Sequence, residues 1–211
     1  MKLQHMTWPQ VQKYFEKNDT VIIGVGSCEN HGKHMPLGTD ALVPEKIIAL
    51  IEEKIEVVCA PVIPFGSCEY FTDFPGTVSL GDEVLYQVVH KVAEGLYHAG
   101  ARHFVFVNGH GGGEETAAIM YINEDWIDRS MMEPGDIEDV TPEIKARTLK
   151  VAEYKGVQVT IPRDSRPICG NGWVGPDPIE NATVEWGREM LNTVADYIAD
   201  FTVEFAKAPL K

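Results

Sequence analysis

The chain has 211 residues, 44% of them hydrophobic, enough for one domain with a substantial core. Its 32 acidic residues outnumber 18 basic ones, and the resulting charge of −14 excludes nucleic acid and anionic membrane as partners, since both select basic surfaces. No apolar run is long enough to span a bilayer and the first residues lack the apolar segment of a signal peptide, so a cytoplasmic protein is expected.

Taken in order, residues 7–17 open with Thr7-Trp-Pro, a helix-start signal, and place Val11, Tyr14 and Phe15 on one face. Thr20-Val-Ile-Ile-Gly-Val-Gly26 is the short β-branched run of a buried strand. It leads into Glu29-Asn-His-Gly-Lys-His-Met-Pro-Leu-Gly-Thr-Asp40, a Gly/Pro-punctuated loop with two carboxylates and two imidazoles. In open α/β sheets ligands bind at the carboxyl ends of strands. Imidazole with carboxylate suits zinc, manganese or iron better than calcium, which takes oxygen alone. A polar loop can also carry such residues and bind nothing.

A helix from about residue 40 to 51 carries Ile47, Ile48, Leu50 and Ile51, and residues 57–63 read as a strand bent or ended by Pro61 and Pro64. Residues 65–80 form a long aromatic, Gly/Pro-rich loop, and such loops in small domains are functional or disordered; Tyr70, Phe71 and Phe74 argue against disorder. Gly81-Asp-Glu starts a helix striped with Val84, Val88, Val92 and Leu96 and stopped at Gly100. His103-Phe-Val-Phe-Val107 is a further buried strand. It runs straight into Asn108-Gly-His-Gly-Gly-Gly-Glu-Glu-Thr116, a second strand end furnished with histidine and carboxylates. Two such loops point to one shared metal site.

A short helix is expected to reach Tyr121, followed by an acidic surface excursion over residues 123–140. Thr141-Pro-Glu caps an expected helix to Tyr154, closed by Gly156, and residues 157–161 alternate as a half-buried strand. Residues 162–178 make a Gly/Pro-rich loop holding Arg163, Arg166 and Trp173. The last helix covers about 181–207, with Leu191, Val194, Ile198, Phe201 and Phe205 on one face. This alternation predicts a three-layer α/β/α sandwich with a mostly parallel central sheet of about five strands, residues 1–211 forming a single domain. Cys28, Cys59, Cys68 and Cys169 make no Cys-x-x-Cys pair and are expected to be reduced.

Ser27 to Asp40 resembles the creatininase (creatinine amidohydrolase) family signature Ser-x-Glu-Gln-His-Gly-x-His-Leu-Pro-x-x-Thr-Asp. Pro64-x-Gly66-Ser67 through Phe74-Pro-Gly-Thr-Val-Ser-Leu80 resembles the family's second block, Val107-Asn-Gly-His-Gly-Gly112 its third, and residues 175–187 a later segment. The resemblance implies two divalent ions (Zn, Mn or Fe) held by Glu29, His31, His110, Glu115 and a bridging Asp40. It also implies a small-molecule substrate and a homo-oligomer, typically a hexamer. The sequence departs from the family after Asn-Gly-His. There, His110 to Thr116 reads both as that block and as a later His-x-Gly-x-x-Glu-Thr block, as though the segment between them were missing, with an imidazole and substrate-covering tryptophans.

With two bridged metals the natural nucleophile is a metal-bound hydroxide attacking the carbonyl of a small cyclic amide or related C–N bond. The alternatives are a ring-opening C–C hydrolase of a cyclic diketone (the 3-dehydro-scyllo-inosose hydrolase type), a protease trimming a peptide precursor, and a non-catalytic metal-binding homologue. His34 and Glu114 are the candidates for proton transfer. His34 can equally orient a ligand carboxylate, and Glu114 can simply be a helix N-terminal acid. Cys28 suits packing better than catalysis. Glu69 is either a pocket or a solvated side chain, Arg163 and Arg166 either bind a substrate carboxylate or meet solvent, and Glu185 suits a structural role better than ligation.

Overall fold

The computed structural model describes residues 1–111, 114–135, 137–174 and 179–210. Gly112 and Gly113 of the second metal-like loop, residue 136 of the acidic excursion, and residues 175–178 at the end of the late Gly/Pro loop lie outside the described residues.

Three parallel strands make the central sheet, in the order β2-β1-β3: β1 (Thr20–Val25) pairs with β2 (Val58–Cys59) and β3 (His103–Asn108). The strands' two-residue period sorts their side chains between two cores. Ile22, Cys59, Val105 and Val107 face α2 (Thr39–Glu52), α4 (Glu115–Asn123) and α6 (Val184–Phe205), meeting Ile48, Ile51, Leu191 and Ala195. Val21, Ile23 and Val58 face the opposite way, towards Tyr14 of α1 (Trp8–Phe15) and Leu96 of α3 (Gly81–Ala99). Helices on both faces of a parallel sheet give the expected three-layer sandwich. Pro at the start of α1 and the Thr183 hydroxyl, which accepts from the Trp186 N–H at 3.1 Å to cap α6, do the local work their sequences announce.

The expectation for residues 141–161 needs correction. No helix forms there. The chain makes a separate antiparallel sheet of β4 (Lys145–Ala146), β5 (Val151–Tyr154) and β6 (Val157–Thr160), in the order β4-β5-β6. Gly156 does not stop a helix. It is the second residue of a two-residue hairpin turn, with Lys155 at φ 51° and Gly156 at φ 80°, and Tyr154 paired to Val157. Positive φ at both positions matches the twist of the flanking strands. The Thr-Pro-Glu signature was a false helix start, outweighed by β-branched residues on either side of the turn. β6 is exposed along its whole length rather than half-buried, and because β5 and β6 lie in this second sheet, the central sheet has three strands, not about five. A one-turn helix, α5 (Ser165–Ile168), follows within the late loop. No helix among the described residues is long and apolar enough to cross a membrane.

Candidate metal centre

Val25 and Asn108 are paired, so β1 and β3 end side by side, and the first turn of α2 lies across both ends. The residues following the two strands are glycines for a steric reason. A Cβ on Gly26 would lie 2.4 Å, and one on Gly109 2.2 Å, from the carbonyl oxygen of Asp40. Pro44, one turn further along α2, has no N–H to offer that carbonyl. Asp40 is thus pressed into the crevice between the strand ends, where it is 1% exposed.

Its carboxylate joins the two loops. Oδ1 lies 3.0 Å from His31 Nε2 and Oδ2 2.7 Å from His110 Nδ1. Each imidazole is fixed from behind by a backbone carbonyl: His31 Nδ1 is 3.0 Å from the Glu29 carbonyl oxygen, and His110 Nε2 is 3.2 Å from that of Ser67. A carbonyl oxygen only accepts, so those nitrogens carry the protons and the opposite nitrogens are the ones turned towards Asp40. This is the arrangement that orients histidine ligands in metal sites. Glu29 Oε2 sits 3.4 Å from His110 Nδ1, and Glu115 Oε2, at the start of α4, sits 3.8 Å from His31 Nε2. All five residues expected around the metals are therefore brought together.

Burial and like charge set the proton affinities. Burial, with the nearby Asp40 charge second, raises the Glu29 carboxyl above its ordinary range. Burial likewise pushes Glu115 up to about 7. The Asp40 hydrogen bond lifts His110 to about 9. For His31 burial pulls downward but Asp40 outweighs it, leaving the group raised. For Asp40 itself burial pulls upward, and the hydrogen bonds to His110 and His31 outweigh it, leaving its pKa lowered.

The donors fit a divalent cation on the structure's own terms. Ligand atoms of Glu29, His31 and Asp40 lie within 4.8 Å of one another, and Glu29 Oε2 is buried with no hydrogen-bond partner among the described residues. A buried, unsatisfied carboxylate oxygen is costly unless a cation meets it.

The two proton-transfer candidates both lie against the start of α4. His34 is 2% exposed, its Nε2 3.3 Å from Thr116 Oγ1, and burial followed by the His31 charge lowers its pKa to about 4. It is a neutral imidazole behind the site, in contact with α4. Glu114 is the N-cap of α4, its Oε1 accepting from the Ala117 N–H at 3.3 Å. Glu69 accepts from Ser79 Oγ at 2.8 Å, Arg163 donates to the backbone carbonyls of Glu138 and Thr148, Arg166 donates to that of Asp73 at 3.5 Å, and Glu185 is exposed on α6. The Cys28 thiol lies 3.8 Å from the Gly76 carbonyl oxygen and its backbone carbonyl accepts from the Val78 N–H at 2.9 Å, a packing position.

Sequence reasoning missed Trp173. Its ring, 7% exposed, stands edge-on to His34 with centroids 5.2 Å apart. Asn30 secures this junction by donating from Nδ2 to the Gly172 carbonyl at 2.6 Å. A lone tryptophan in a Gly-rich stretch, Asn171-Gly-Trp173, was the available signal. The family segment expected to be missing thus does not leave the site without an indole.

A family model, Creatininase: Creatinine amidohydrolase, matches residues 4–114 and 110–202. The two matches share residues 110–114, the stretch that reads as two blocks at once. A 3-dehydro-scyllo-inosose hydrolase from Thermotoga maritima is 33% identical over 109 residues, 51% of this chain and 35% of that protein. A mycofactocin precursor peptide peptidase from Mycolicibacterium smegmatis is 35% identical over 104 residues, 46% of this chain and 42% of that protein. The chain thus matches less than half the length of these curated relatives. A solved creatininase variant described as Zn-Zn type superposes with a TM-score of 0.77 at 20% identity, covering 98% of each chain, a likeness of fold.

Proposed function

The chain belongs to the creatininase family, and from that premise we propose that it is a binuclear metal-dependent hydrolase opening a small cyclic amide or a related C–N bond. The observation that supports this most is the Asp40 carboxylate, buried to 1% with one oxygen on His31 and the other on His110, the geometry of a bridge between two ions. Glu29, His31 and Asp40 would hold one side of the centre and His110 and Glu115 the remainder, with zinc, manganese or iron as the ions the donor set suits. Bound there, such ions lower the pKa of water towards neutrality and polarise a substrate carbonyl.

The chain's own residues do the rest. The Glu29 and Ser67 carbonyls fix the tautomers of His31 and His110, so the ligand nitrogens stay aimed inward. Glu115, held at about 7 by burial in the metal-free centre, would give up its proton on taking an ion, so that it binds as the carboxylate. His34, neutral and anchored to Thr116, positions the start of α4 and with it Glu115. Glu114 is occupied as a helix cap and contributes to the same positioning. Trp173 shields the His34 side of the site from water.

The ring-opening of a cyclic diketone is the second reading, suggested by the 33% identity over 109 residues to the scyllo-inosose hydrolase. A homo-oligomer is proposed on family resemblance, and a monomer by gel filtration would remove that expectation. The deciding experiment is elemental analysis of the purified protein and of Asp40→Ala, followed by hydrolysis assays on a creatinine-type lactam, a cyclic 1,3-diketone and a short peptide. About two ions per chain, lost in the variant, with turnover of one substrate, is the expected result. Full metal with no turnover would leave a metal-binding protein, and no metal after reconstitution would end the hydrolase reading.

A further inference from the structure

At the other end of β1 from the metal centre, a cavity of about 410 Å³ lies between the first residues of the chain and α1. That volume falls within the roughly 300–1,000 Å³ of ligand pockets. Its floor includes Tyr14, whose hydroxyl donates to the Thr20 carbonyl at 2.8 Å. Thr20 opens β1 and the metal-bearing loop follows Val25, so about 17 Å of strand separates the two places. The cavity is no part of the hydrolytic site.

Its walls are cationic. Lys2, His5, Lys13 and Lys17 line it, and Glu56 is the one carboxylate among the lining residues described. Lys2 is held by the sheet: it bridges to Cys59 of β2, whose N–H donates to the Met1 carbonyl at 2.8 Å. Lys13 sits in the last turn of α1. Lys17 follows one turn later, its N–H bonded to the Tyr14 carbonyl at 3.0 Å.

These lysines stand out in the inventory of charge. Each of the other described lysines and arginines meets a carboxylate, a backbone carbonyl or an aromatic face. Among the described residues only the side chains of Lys2, Lys13 and Lys17 have no such partner, and all three border this one cavity. In a chain with 32 acidic residues to 18 basic ones, charge pairing alone would not leave three ammonium groups together and unmatched. Gathered there they repel one another, and an anion placed among them relieves that repulsion. Ammonium groups are compact point charges that bind phosphate, whereas the planar fork of arginine is what matches a planar carboxylate. Met6 and the Tyr14 ring give the rest of such a molecule an apolar surface.

We propose that this cavity binds a small organic phosphate ester, its phosphoryl group among Lys2, Lys13 and Lys17 and its apolar body against Met6 and Tyr14. It is a ligand site separate from the substrate site, and its occupation neither needs nor tests the hydrolase reading.

The test is calorimetric titration with phenyl phosphate, and with phenol as the same ring without charge. The wild type is titrated with its metals in place and again after phenanthroline treatment and dialysis, because a phosphate can also meet metal ions; the equivalent that belongs to the cavity is the one retained without them. Lys13→Gln and Lys17→Gln keep side-chain length and helix propensity at exposed positions, so both variants fold. Lys145→Gln makes the same charge change outside the cavity. Saturable binding of phenyl phosphate is expected, at least tenfold weaker for phenol, about tenfold weaker in Lys13→Gln and in Lys17→Gln, and unchanged in Lys145→Gln. No saturable binding after metal removal overturns the proposal. So does equal binding by the wild type and the two cavity variants, or a loss in Lys145→Gln as large as theirs, which would make the effect one of overall charge.

Discussion

With both oxygens of Asp40 engaged by imidazoles and two further carboxylates in the same buried space, the metal-free centre holds protons that an unfolded chain would release. His110 is raised from 6.5 to about 9, so its contribution is fully present below 6.5 and is lost as pH rises through 9. Glu115 is raised from 4.5 to about 7, so the penalty for burying its charge sets in above 4.5 and is complete above 7. Both act in one direction, but His34, lowered from 6.5 to about 4, gains stability as pH rises to 6.5 and offsets Glu115 there, so the urea midpoint of chelator-treated protein should fall between about pH 6.5 and about pH 9.5, and Asp40→Asn should flatten the upper part of that curve. Added zinc or manganese should raise the midpoint in proportion to the logarithm of its concentration. A second residue-scale prediction concerns Gly109, whose Cβ would meet backbone rather than a movable side chain. Gly109→Ala should cost about 3 kcal/mol in chemical denaturation and lower metal content in step, because the displaced atom is the carbonyl of Asp40 itself.

At the scale of elements, glycine has the opposite reading in the middle of α3. Gly95 is exposed, and nothing lies within 4 Å of the Cβ it lacks, so Gly95→Ala should stabilise the protein by about 1 kcal/mol, seen as a raised denaturation midpoint. In the β5–β6 hairpin, Lys155 holds a left-handed conformation that asparagine adopts more readily, and Lys155→Asn should raise the thermal midpoint by a small, measurable amount. How far each element could be read from sequence follows from where its determinants lie. β1, the loop to Asp40 and α2 were legible because β-branching, punctuation and apolar spacing are local to them, while the four residues expected around Asp40 were named together by the family resemblance, and it is the side-by-side ends of β1 and β3 that let them meet. The hairpin was not, because Thr141-Pro-Glu imitates a cap and the turn residue Lys155 carries no turn signal of its own. Trp173 was missed because its partner His34 is remote in the chain, and only the packing of the late loop onto α4 and the first loop brings the rings together.

The molecule as a whole is organised with its chemistry at one end of a narrow sheet. The candidate ligands follow the ends of β1 and β3, and the aromatic loop and the late loop flank them, so segments distant in sequence meet there. The narrowness of the sheet has its own result. β3 is six residues long, pairs with β1 on one side, and has no strand on its other side among the described residues. Phe106, 46% exposed, lies along that margin. Unpaired backbone beside an exposed aromatic is a template for another strand, and proteins commonly defend such margins with lysine. Phe106→Lys should therefore delay the rise in light scattering on heating while leaving metal content unchanged, since the side chain points away from the centre's face of the sheet. During synthesis and refolding that margin is joined by an open apolar face, because Val105 and Val107 of β3 stay uncovered on that side until Leu191 and Ala195 of α6, the last helix, have docked. The interval between β3 leaving the ribosome and α6 arriving is thus when this chain is most exposed to joining its neighbours, and a chaperone that binds extended apolar segments would find its site there.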